Sequence, residues 1–170
     1  MDLPGAAYLT SLAGLAVAFV GFSTIAIAFL NVTHRSLSKE HIAYVRIFVT
    51  HGLTAVAFAL LPILMRLFGL PADVIWRLSS GLFTVTALVL LWAAFTMRRR
   101  HGLPFPPRVI VNFALGVATF VLAGLNTVGP SFDPYVGPYA LAVTFLLVIS
   151  ALIFVENLTE FLQLRTGQTG

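Results

Sequence analysis

The sequence has no cysteine, so neither a disulfide framework nor a thiolate metal site holds it together. Charge is scarce too: ten Lys and Arg and six Asp and Glu in 170 residues make 9%, where soluble domains carry roughly 25%. So few charges cannot cover a small globule, whose surface is large for its volume. The chain also lacks a phosphate-binding glycine loop, an HExxH helix, a GxSxG elbow and an internal repeat, and has no polar stretch long enough for a soluble domain. Any chemistry would have to sit inside an apolar body or at its rims. The rest of the chain is apolar, with 59% hydrophobic residues and a mean hydropathy of +0.98. That content excludes disorder and makes a lipid bilayer the expected solvent.

A hydrocarbon core of about 30 Å takes about 20 helical residues to cross. Five apolar runs meet that length, over about 8–30, 42–70, 75–97, 109–128 and 138–162, and the chain reads as one transmembrane domain over 1–170. The expected fold is therefore an all-α bundle of five membrane helices, since only helices and closed barrels satisfy their backbone in lipid and these runs are too long for barrel strands. Arg46 with Arg66, and Arg77 with Arg98, bracket the second and third runs at about one bilayer thickness, where long side chains can snorkel to the interfaces. The tract from Arg98 to Arg108, with Pro104, Pro106 and Pro107, reads as a basic connection that no helix continues through.

Alternate connections divide the basic residues unequally. Arg35, Lys39, Arg46, Arg98, Arg99, Arg100, Arg108 and Arg165 fall on one side, and only Arg66 and Arg77 on the other. By the positive-inside bias the N-terminus is expected outside and the C-terminus in the cytoplasm. The first run is too long, and its start too poor in basic residues, for a cleaved signal peptide. Arg98, Arg99, Arg100 and Arg108 would contact anionic lipid head groups, at roughly 1 kcal/mol per basic residue near such a surface. This one connection accounts for much of the basic excess, so the pI near 10.1 does not call for a nucleic-acid partner.

Polar groups at membrane depth are the candidates for function, weighed against helix packing. In the fourth run Asn112, Gly116, Thr119, Ala123 and Asn126 recur at spacings of four and three, which sets small and hydrogen-bonding residues on one helical face. That stripe serves close packing or, with polar partners such as Ser80 and Thr84 of the third run, lines a polar path. His51 lies about one turn inside Arg46 and is a proton acceptor, a ligand or a packed structural residue. No second His stands at a depth to complete a haem site, and no His or carboxylate cluster has metal-ligand spacing, so no cofactor and no metal are expected. Glu156 is placed to pair with Arg46 near the interface, an alternative to acid/base chemistry with Glu160. Pro62 should free the carbonyl of Phe58, four residues before it.

The segments Leu60-Leu61-Pro62, Gly69-Leu70, Ile75-Trp76-Arg77-Leu78-Ser79-Ser80 and Gly137-Pro138-Tyr139 resemble a group of small, uncharacterised, multi-spanning bacterial inner-membrane proteins. The resemblance implies a multi-pass location in a bacterial inner membrane and this layout, and carries over no site. It places Trp76 and Arg77 as an interfacial anchor pair, as the run boundaries also do. The first expectation for function is a non-enzymatic membrane subunit or accessory protein that packs with itself as a homo-oligomer or with a larger membrane complex. The alternatives are a small oligomeric channel or transporter using His51, Asn112, Thr119 and Asn126, and a membrane-embedded enzyme on lipid or quinone using His51 and Glu156.

Overall fold

A computed structural model of the chain describes residues 3–33, 39–100, 102, 105–128 and 136–166. His34, Arg35, His101, Asp133 and the turn expected over 129–134 lie outside the described residues. Five α-helices account for the regular structure, with no strand among the described residues: α1 (Ala6–Thr33), α2 (Lys39–Leu67), α3 (Ala72–Arg100), α4 (Pro107–Val128) and α5 (Val136–Thr166). Each contains a stretch long and apolar enough to cross a membrane.

Local chemistry sets the helix ends, and it moves several of them from where hydropathy alone puts them. α2 stops at Leu67 rather than running to Leu70, because Gly69 adopts a left-handed φ of 74° and its N–H turns back to the Arg66 carbonyl at 3.0 Å. The Arg66 guanidinium donates to the Leu70 carbonyl at 3.0 Å and closes the same turn. α3 starts three residues earlier than expected, at Ala72, with Ile75 N–H donating to the Pro71 carbonyl. The basic tract is not a connection throughout. Arg98, Arg99 and Arg100 form the last turn of α3, where positive charge complements the helix dipole, and α4 begins at Pro107. Proline at a first helical position gives up an N–H that has no partner there anyway. Gly102, at φ 60°, ends the α3 turn and leaves six residues, 101–106, between the two helices.

α2 and α5 pack along each other at the centre of the bundle. α1 lies against α2 and touches α5; α4 lies on the other side of α5; α3 runs along α4 and leans on α2. Close approach of three helices rests on Gly52, where a Cβ would stand 2.3 Å from Val20 of α1 and 3.3 Å from the Ser150 hydroxyl of α5. The Ser150 hydroxyl also donates to the Phe48 carbonyl at 2.8 Å, tying α5 to α2.

Large aromatic side chains gather at the end where α2 finishes and α3 and α5 begin. Phe58, Trp76, Phe83 and Tyr139 form one ring cluster there, with centroids 4.6 Å apart for Phe58 and Phe83 and 5.5 Å for Trp76 and Tyr139. Trp76 is therefore no interfacial anchor: it is 2% exposed, while Arg77 beside it is exposed. The indole turns inward because the α3 face that carries Trp76 also carries Ser79, Ser80 and Phe83, all fully buried. Tyr139 and Pro62 meet in this cluster. Pro62 lies inside α2 and leaves the Phe58 carbonyl without its helical donor, and the Tyr139 hydroxyl donates to that carbonyl from α5.

Candidate functional site

α4 faces its neighbours with the polar stripe. Gly116, Thr119, Ala123 and Asn126 are all buried, and Asn112 at the end of the stripe is half-buried. The Asn126 amide donates to the Ser80 hydroxyl of α3 at 2.7 Å. The two helices interlock around this bond: a Cβ on Gly81 would touch Thr127 at 3.4 Å, and one on Gly124 would touch Thr84 at 3.7 Å. Asn126 thus joins two helices.

Farther along, toward the Arg98 end, α2, α3, α4 and α5 leave a space between them. A partly open cavity of about 50 Å³ lies among the four helices. Its polar lining comes from His51 of α2 and from Asn112 and Thr119 of α4. Its apolar wall includes Leu90 and Leu91 of α3, Phe113 of α4, and Leu146 and Ile149 of α5. Gly116 sits in the wall, where a Cβ would approach the tip of Leu91 at 2.7 Å. Such a volume has room for one or two waters, or for the polar head of a small molecule reaching in from the open side.

Three of the four polar positions singled out from sequence therefore meet at one place, and the fourth, Asn126, does not. Their hydrogen bonding differs from that of Asn126 as well. His51 Nδ1 lies 2.8 Å from the Ile47 carbonyl, one turn back in its own helix; a carbonyl only accepts, so Nδ1 carries the proton. Thr119 donates to the Leu115 carbonyl at 2.9 Å, again within its helix. Asn112 Oδ1 is buried and has no hydrogen-bond partner among the described residues. An unmet buried acceptor costs about 1–3 kcal/mol, so the site is built at some expense to stability.

The remaining expected positions spread over the surface of the same end. Arg46 is exposed near the start of α2 and Glu156 is half-buried toward the end of α5. Arg98 stacks over the Phe105 ring at 5.5 Å and Arg99 over Phe95 at 5.8 Å, so both guanidinium planes rest on aromatic faces at this rim. Arg108 occupies the first turn of α4. No group of three or more His, Asp or Glu that could hold a metal ion occurs among the described residues.

Sequence reasoning passed over Tyr139 and Ser150, although each bonds a backbone carbonyl of α2. A signal for Tyr139 existed: a tyrosine inside an apolar run needs an acceptor, and Pro62 exposes one. The apolar wall of the cavity had none, because Leu90, Leu91 and Phe113 look like any other apolar residues in their runs.

Comparison with known protein families, with curated proteins and with solved structures finds no match to this chain.

Proposed function

We propose that this protein crosses a bacterial inner membrane five times, with its N-terminus outside and its C-terminus in the cytoplasm, and serves there as a non-enzymatic subunit. On this reading it packs with itself or with a larger membrane complex. The observation that carries the proposal is the outer face of α1. Ala7, Ser11, Gly14, Ala18 and Gly21 recur there at spacings of four and three, and all are exposed. A Cβ on Gly14 or Gly21 would meet nothing within 4 Å, so the fold itself has no use for these glycines. Small residues repeated in this way let two membrane helices approach backbone to backbone, and glycine inside a helix otherwise only weakens it. The comparable stripe on α4 is spent inside the bundle against α3.

The absence of cysteine makes a clean experiment available. Ala18→Cys in native membranes should form a disulfide-linked pair, or cross-link to a partner, under mild oxidation. Gly14→Leu combined with Gly21→Leu should abolish that link while the bundle stays folded. A monomer in mild detergent, with no partner recovered by native pull-down, would overturn the proposal.

The cavity favours a second reading, a small channel or transporter. Its obstacle is the ring cluster of Phe58, Trp76, Phe83 and Tyr139, which fills the bundle beyond the cavity and would have to move. Equal solute leak from protein-containing and empty vesicles would remove this reading.

A further inference from the structure

The polar surface of the cavity combines lone pairs with one side-chain amide. His51 has placed its Nδ1 proton on Ile47, so in the neutral ring Nε2 holds a lone pair. Thr119 has placed its hydroxyl proton on Leu115, so that oxygen also offers lone pairs. Asn112 adds an Nδ2 amide that can donate, beside a buried Oδ1 with no partner among the described residues. All three side chains line the one cavity, and every other residue of its lining is apolar.

That combination selects an occupant. An anion, or a molecule that only accepts hydrogen bonds, could use the Asn112 amide alone and would have nothing to give to the His51 and Thr119 lone pairs. A cation would sit among Leu90, Leu91 and Phe113 with no carboxylate in the lining, at the end of the bundle that carries Arg98, Arg99 and Arg100. A neutral donor meets neither objection. We propose that the cavity binds a small neutral hydroxylic molecule, with its O–H donated to His51 Nε2, its oxygen accepting from the Asn112 amide and its carbon skeleton against Leu90, Leu91 and Phe113. The small volume admits the hydroxyl and about one carbon, and the rest of the skeleton reaches out through the open side. This site is independent of the α1 face, and either proposal can fail without the other.

The isomers 1-butanol and diethyl ether separate donor from shape, because both are C4H10O and only the alcohol has a hydrogen to donate. The full chain, labelled with ring-15N histidine and held in nanodiscs, would be titrated with each, and the His51 signals identified by their loss in His51→Phe. The expected result is a saturable shift of the His51 Nε2 resonance with 1-butanol and at least tenfold weaker saturation with diethyl ether. Asn112→Leu should weaken 1-butanol binding about tenfold, a difference of about 1.4 kcal/mol. Equal responses to alcohol and ether, no saturable response to either, or an Nε2 that carries a proton throughout would each overturn the proposal. The alcohol and ether comparison is read on the unsubstituted cavity, with His51→Phe used only to identify the signals, so it decides the matter even where Asn112→Leu fails to fold.

Discussion

The half of the bundle that holds Trp76, Phe83 and Tyr139 and the half that holds His51 and Asn112 are built from the same four helices, yet the polar side chains that face inward in each are used differently. In the first half polar side chains reach across helices: Tyr139 to the Phe58 carbonyl, Asn126 to Ser80, Ser79 to the Met65 sulfur at 3.5 Å. In the second half, around the cavity, His51 and Thr119 bond back to their own helices and Asn112 Oδ1 bonds to nothing described. Ser150 ties α5 to α2 there as well. A bond across helices fixes both rotation and distance. One within a helix fixes neither, and it leaves lone pairs and space for something else. The two halves thus separate stability from binding capacity within one small fold.

This contrast can be broken by mutation. Phe83 is fully buried between the Phe58 and Tyr139 rings, and Phe83→Ala should cost about 3–5 kcal/mol in an unfolding titration in mixed micelles. A loss below about 1 kcal/mol would show that the ring cluster is not the tight half of the bundle. Tyr139→Phe keeps the ring and strands the Phe58 carbonyl, at about 1–2 kcal/mol. The same change made in a Pro62→Ala background should cost less than half as much, because alanine at that position returns an N–H to the carbonyl. An unchanged cost would deny that Tyr139 stands in for the missing donor.

On the cavity side the effects should be small. Gly116→Ala asks only the tip of Leu91 to move, beside open space, so the loss should stay below about 1 kcal/mol. Asn112→Leu removes the unmet acceptor and fills space, so stability should be unchanged or rise by about 1 kcal/mol. A loss like that of Phe83→Ala would mean that Asn112 is a structural residue, and the two halves would no longer differ in kind.

The helices were legible in the sequence because a long apolar run has few other ways to satisfy its backbone. Their ends were less so. Gly69 and Pro107 act through φ and a missing N–H, which hydropathy does not register, and the three arginines after Met97 proved to be good helix formers rather than a break. Part of the candidate site was legible as well. The α4 stripe follows helical spacing closely, and Gly116 through Asn126 are buried as that spacing requires. The fate of each polar residue was not. Asn112 and Asn126 look alike in the sequence, two helical positions fourteen residues apart on one face, yet one lines a cavity and the other locks two helices. Trp76 reads as an anchor from its place at the end of a run and is buried, since the direction it faces depends on its neighbours.

The sequence by itself determined five helices long and apolar enough to cross a membrane, the concentration of basic residues at one end of the bundle, and the stripe on α4. Each of these follows from interactions a few residues long, the i to i−4 hydrogen bond and the helical repeat. Only the tertiary structure decided that Tyr139 caps the carbonyl freed by Pro62, that Asn126 finds Ser80, and that His51, Asn112 and Thr119 share one cavity. Those meetings depend on how far each helix is turned about its axis and slid along it. Both quantities are set by the packing of all five helices together.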